Sequence, residues 1–130
     1  MPTIKQYKKE TLNEKSRWLL QSACNLTSQF GEDGVIAQIF STIGIKQIQW
    51  CVEFGAGDGI TTSNTYNLIR RHGWNGVLIE GNTDLYSKLK NNYISIDNVI
   101  LLNTIVSIRG ENSLGNILKT TAIPIEFHLL

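Results

Sequence analysis

The sequence predicts an α/β fold: a parallel sheet with helices on both faces, preceded by N-terminal helices. Three observations predict it. Short apolar runs alternate with helical patterns from residue 49 onward, the rhythm of βαβ units. The first run ends in a glycine-rich turn, "EFGAGDG" at 53–59. The second ends in an acid, Glu80, placed 21 residues beyond Gly59. Right-handed crossovers between parallel strands then put helices on both faces of the sheet.

In chain order, the apolar residues of 4–24 roughly follow helical spacing and predict a first helix. A second is expected over about 33–43, with Val35, Ile36, Ile39, Phe40 and Ile43 as its stripe, Asp33 as its cap and Gly44 as its stop. These form an N-terminal helical segment, 1–48, ahead of a ligand-binding unit, 49–130. "WCVEF" at 50–54 predicts the first strand. "TTSNTYNLIRRHG" predicts a helix capped by Thr or Ser and ended by Gly73. "GVLIE" at 76–80 is the second strand, and "NTDLYSKLKNN" a helix capped by Asn82 or Thr83. "VILLNTIV" at 99–106 is the third strand, "NSLGNILK" a short helix, and "PIEFHLL" the opening of a fourth strand.

The totals narrow the function classes. With 42% hydrophobic and 18% charged residues, 130 residues suit one domain with its own core and not a disordered chain. Twelve basic residues against 11 acidic ones leave a net charge of +1, which asks for neither nucleic acid nor an anionic membrane as partner. No apolar run approaches the ~18 residues of a membrane span, and the start of the chain has no signal-peptide pattern. Cys24 and Cys51, without zinc spacing, predict reduced thiols in a cytoplasmic protein and no metal.

The glycine turn lies where ligands bind, at the carboxyl ends of parallel strands. Its glycines allow close approach of the backbone, and the helix behind it directs a partial positive charge at an anion. A phosphate-binding P-loop needs Lys-Ser/Thr after the last glycine, and Ile60 and Thr61 stand there instead. A dinucleotide fingerprint needs its third glycine at position 60, which is Ile60. Glu53, two places before Gly55, would repel a pyrophosphate and attract an ammonium. S-adenosyl-L-methionine carries an ammonium and a sulfonium and no phosphate, so Glu53 favours it over a nicotinamide dinucleotide. Glu80 stands where an acid can accept hydrogen bonds from ribose hydroxyls.

The segments "SQFGEDGVI", "CVEFGAGDGITTSNTYNL", "GWNGVLIEGN" and "IPIEF" occur in an order that resembles the FkbM-like branch of class I S-adenosylmethionine-dependent methyltransferases, over roughly 28–130. The resemblance implies a seven-stranded Rossmann-like sheet of order 3-2-1-4-5-7-6 and O-methylation of a small-molecule acceptor, a sugar or natural-product hydroxyl. Carried over by position, it implies that Glu53 contacts the methionine end, that Gly55, Ala56 and Gly57 line the cofactor, and that Glu80, followed by Gly81, binds the ribose. Asp58 either caps the following helix or meets the ligand through its backbone. Asn64, with Ser63, either caps that helix or reaches the cofactor's carboxylate. Gln29, Glu32 and Asp33 also fall within the resembling segments, where chemistry alone gives them a capping role. The chain departs from the family pattern at His128, where an Asp is common.

Methyl transfer needs close alignment and, for a hydroxyl acceptor, a general base. His72 is placed by the helix geometry at the far end of the sheet, and His128 lies on the fourth strand, so no catalytic base is assigned. The fold is expected to stop after the start of that strand. It would then expose a sheet edge beside the site and favour self-association. Two further expectations compete with catalysis: a non-catalytic fragment with weak or no cofactor binding, and an NAD-dependent oxidoreductase.

Overall fold

The computed structural model describes residues 14–44 and 48–130. It contains a parallel three-stranded sheet of order β1-β2-β3, with β1 at Trp50–Phe54, β2 at Asn75–Ile79 and β3 at Val99–Leu102. Helices α1 (Glu32–Ile43), α2 (Tyr66–His72), α3 (Thr83–Asn92) and α4 (Leu114–Lys119) surround it. The expected small α/β sheet is present, and its three strands lie in the 3-2-1 order.

The period of two along the strands splits the core into two layers. Cys51, Leu78, Val99 and Leu101 face one side, where Ile36 and Phe40 of α1, Leu68 and Ile69 of α2, and Leu89 of α3 pack on them. Val52, Val77, Ile79, Ile100 and Leu102 face the other side, covered by Leu114, Ile117 and Leu118 of α4 and by Ile123 and Phe127. Val77, Leu78 and Ile79 are fully buried, as a strand covered on both faces must be. Each contributes about 1.5–3 kcal/mol from burial.

Several element bounds differ from the sequence expectation. Of the first expected helix, residues 4–13 lie outside the described residues. Glu14–Ser22 forms a 3-10 helix with no buried residue, so no apolar face holds it as an α-helix. Asp33 is not the cap of α1. Gly31 occupies that place in a left-handed conformation, and Asp33 is buried in the first turn with its carboxylate directed backward. Gly44 does end α1. Helix α2 begins only at Tyr66, because Ser63 and Thr65 turn toward the end of β1 and the Ser63 hydroxyl accepts the N–H groups of Thr65 (3.2 Å) and Tyr66 (3.0 Å). Asn82 caps α3 as expected, accepting from Asp84 and Leu85 at 3.0 Å each.

Strand β3 stops at Leu102. The last ladder bond runs from the Glu80 N–H to the Leu102 carbonyl (3.0 Å), and beyond it the Asn103 side chain, not its backbone, bonds the neighbouring segment. The segment expected as a fourth strand makes an isolated parallel bridge, Leu129 with Cys51, on the free side of β1. The Val52 N–H donates to Leu129 (2.9 Å) and the His128 N–H to Trp50 (3.0 Å). No helix among the described residues is long and apolar enough to cross a membrane.

The turn after β1 is fixed from below by α3. A Cβ on Gly59 would lie 2.4 Å from the Tyr93 ring and 2.5 Å from Leu89, and its φ is +77°. The Tyr93 hydroxyl donates to the Gly59 carbonyl (2.8 Å), and the Asn92 amide to the Asp58 carbonyl (2.8 Å). Gly59→Ala therefore meets both a left-handed backbone and a filled space. It is expected to lower stability by about 1–3 kcal/mol in denaturant unfolding. A variant as stable as the parent would show that this packing does not hold the turn.

Candidate functional site

The site lies at the carboxyl ends of β1 and β2, where both strands release their chains into loops. Glu53 leaves β1 on the same face as α2. Its carboxylate takes the Ser63 hydroxyl (2.9 Å) and the Thr65 hydroxyl (2.5 Å) on Oε2, and the Asn64 N–H (3.1 Å) on Oε1. The anion that the start of α2 meets is thus the protein's own Glu53. Just before this turn, Thr62 has a φ of +61°, the one non-glycine residue with positive φ among those described. A β-branched residue resists that conformation. The bonds around Glu53 offset its strain.

Glu80 directly follows β2, which was expected to include it, and is almost fully buried. Its Oε2 accepts the Gly57 N–H (2.7 Å) and its Oε1 the Asn82 N–H (2.8 Å). The glycine turn is thereby tied to the second strand, with a further bond from the Ala56 N–H to the Ile79 carbonyl (3.1 Å). A carboxylate offers about four lone-pair sites, so Glu80 keeps capacity to accept from a ligand. Gly55 and Gly57 have open space where a Cβ would stand. Asp58 spends its carboxylate on its own loop, accepting from the Ile60 N–H (2.9 Å), the Thr61 N–H (2.8 Å) and the Thr61 hydroxyl (2.9 Å). Burial would raise its pKa, but these donors, with the charge of Lys88, hold it below the usual value of 3.8.

Two clefts flank this strand end, and Phe54, half exposed, lines both. One, of about 480 Å³, lies over β2 and is lined by Gly55, Glu80, Gly81, Asn82 and residues 104–106. Gly81 is required there, because a Cβ would stand 2.5 Å from Ile105. Asn103 holds the wall in place by donating to the Glu80 carbonyl (2.7 Å). The other cleft, of about 450 Å³, lies on the free side of β1. It is bounded by Glu53, Asn64 and Thr65 on one side and by Phe30, Glu32 and Ile36 on the other. The Asn64 Oδ1 is buried and has no hydrogen-bond partner within the chain. Both clefts are lined by carboxylates, and no lysine or arginine among the described residues lines either one.

Of the candidate residues, Glu53 and Asn64 lie at the first-strand cleft, Gly55, Glu80 and Gly81 at the second, and Ala56 is buried beneath the turn. Phe54 and residues 104–106 were not among the candidates. The signal for the latter was the polar "NT" interrupting the apolar run "VILLNTIV". Both histidines lie away from the site. His72 is exposed at the end of α2. His128 accepts the Trp50 N–H on Nδ1 (3.2 Å) and sits edge-on to Trp74, at the opposite end of β1. Cys51, fully buried within β1, has its thiol pushed up to about 12 by burial and by the Glu53 charge, which disfavours the thiolate. Among the described residues no cluster of His, Cys, Asp or Glu could hold a metal ion.

The loop before α1 is organised by Asp33. Its Oδ2 accepts the N–H groups of Leu26 (2.8 Å), Thr27 (2.8 Å) and Ser28 (2.7 Å). Burial would raise its pKa, but these donors outweigh burial and hold it below 3.8. Gln29 lends only its carbonyl to this loop, accepting from the Asn25 amide (3.1 Å), and Glu32 accepts from the Phe30 N–H (2.6 Å). No protein-family model matches the chain, and no curated protein does.

A carboxyl whose folded pKa is depressed stabilises the fold fully above its unfolded value and loses that contribution as pH falls through the folded value. The parent should therefore lose stability steeply below about pH 4, near the ordinary Asp value. Asp33→Asn, compared by urea unfolding between pH 7 and pH 3, is expected to be less stable at pH 7 and flatter across the acid range. Parallel curves would show that Asp33 does not carry the acid sensitivity.

Proposed function

We propose that the chain binds S-adenosylmethionine across the end of β1 and serves methyl transfer to a small-molecule hydroxyl, as its resemblance to FkbM-like methyltransferases implies. The observation that carries this reading is the pair of clefts meeting at Phe54, with Glu53 at one and Glu80 at the other. A ligand lying across the glycine turn would meet a carboxylate at each end. A pyrophosphate would be repelled by both. A ribose can donate to Glu80, and an ammonium can be held by Glu53 and by the unpartnered Asn64 Oδ1. The residues present thus fit the cofactor.

In this reading Glu80, Gly55 and Gly57 hold the nucleoside. Gly81 lets the wall at 104–106 close over the base, where Ile105 and Val106 supply apolar contact. Glu53 and Asn64 orient the amino-acid end. When bound, the cofactor supplies an electrophilic methyl group on a sulfonium. The protein's own role is alignment of that group and exclusion of water, the main requirement of such a transfer.

Calorimetric titration tests the reading. S-adenosylhomocysteine is expected to bind in the micromolar range, and Glu80→Gln to weaken it about tenfold, or ~1.4 kcal/mol. NAD is expected to give no heat. Binding of NAD with none of S-adenosylhomocysteine would overturn the reading in favour of a dinucleotide enzyme. No binding of either by the folded chain would overturn both.

A further inference from the structure

The cleft beside Glu53 is built from two segments of the chain that are distant in sequence. One wall is the end of β1 with the turn at residues 63–65, and the other is the loop and helix around residues 30–36. One side chain spans the two. The Thr27 hydroxyl donates to the Ser63 carbonyl at 3.0 Å. Ser63 is the residue whose own hydroxyl holds Glu53 on one side and the start of α2 on the other. Thr27 is in turn fixed by Asp33, which accepts its N–H and those of both its neighbours, while the Asp33 N–H returns a bond to the Ser28 hydroxyl (3.0 Å).

We propose that Thr27, held by Asp33, is a positioning residue for the amino-acid end of the cofactor cleft: it fixes the turn at 63–65 and through it the Glu53 carboxylate and the Asn64 amide. The inference rests on the cofactor reading for what the cleft holds, and on the Thr27–Ser63 bond for how its shape is set. The turn needs such an external hold. Thr62 enters it at a φ of +61°, which a threonine leaves readily unless the following residues are fixed. Asn64, which lines the cleft, keeps a buried acceptor without a partner, so no side-chain bond of its own from that atom holds the turn. The ribose end does not share this dependence. Glu80 is fixed by Gly57 and Asn82, neither of which touches Thr27.

The asymmetry makes a test that general destabilisation cannot imitate. Thr27→Val keeps shape and removes the hydroxyl, and Thr27→Ser keeps the hydroxyl. Each variant is titrated with S-adenosylhomocysteine and with adenosine, and amide hydrogen exchange is followed at Asn64 and Thr65. Thr27→Val is expected to weaken S-adenosylhomocysteine about tenfold while leaving adenosine within about twofold. It should also speed exchange at both amides about tenfold. Thr27→Ser is expected to restore parental values. Equal losses for the two ligands, or exchange unchanged in Thr27→Val, would overturn the positioning role. A parent that bound neither ligand would overturn the cofactor reading, and the exchange comparison would still decide whether Thr27 fixes the turn.

Discussion

A carboxylate at the end of a buried strand faces the start of a helix, and much of the site follows from satisfying it. Glu53 is partly buried at the edge of the cleft beside β1. It therefore recruits donors: two hydroxyls and one backbone N–H from three successive residues, 63–65. Those donors reach it only if the chain reverses sharply after residue 61, which places Thr62 in a left-handed conformation. They also delay α2 until Tyr66. The late start of α2 and the left-handed Thr62 thus accompany the donors that gather on Glu53. Its field is felt beyond its partners: after burial, it is the next cause of the raised pKa of both Cys51 and Tyr93.

On the neighbouring strand Glu80 has the matching role, reached by a different route. Its partners are backbone N–H groups, so it fixes main chain and leaves side chains free. The Gly57 N–H is the closure point of the glycine turn. Without it the turn would be held by the Ala56 N–H on the Ile79 carbonyl and from α3 through Tyr93 and Asn92. A buried carboxylate with one donor on each oxygen is stable as it stands and still has acceptor capacity. That combination suits recognition of hydroxyl groups: the site is organised before a ligand arrives and needs little rearrangement to accept one.

The strands and the Asn82 cap were legible because each depends on local pattern: short continuous apolar runs in the first case, an Asx side chain ahead of an amphipathic stretch in the second. The glycine turn and its two acids were legible as a set for the same reason, since spacing along parallel strands fixes which ends lie together. What could not be read was where side chains spend their hydrogen bonds. "TTSNT" reads as helix caps, and Thr65 is the N-cap of α2 with the Ser63 hydroxyl accepting the Tyr66 N–H, but both hydroxyls also donate to Glu53 across the sheet end. Asp33 reads as a cap of its own helix, yet it gathers three N–H groups from the loop behind it. "LLNTIV" reads as continuous strand, yet the backbone ladder ends at Leu102 and the Asn103 side chain takes over by donating to the Glu80 carbonyl. Each of these depends on a partner supplied by tertiary neighbours, which local propensity does not encode.

The placement of the histidines bears on what chemistry the site can organise. Both sit at the amino end of the sheet, one exposed and one bound to the Trp50 N–H. The ionisable groups at the carboxyl end are Glu32, Glu53, Asp58 and Glu80, and each already accepts hydrogen bonds from the protein. Their oxygens are engaged in holding the turns and loops of the site in place. The described side chains at this end are therefore suited to hold and orient a ligand that carries its own reactivity. The proposed cofactor would be such a ligand: the methyl group of a sulfonium is electrophilic without activation by the protein, and under that proposal the chain's part is to hold the nucleoside end at Glu80 and the amino-acid end at Glu53.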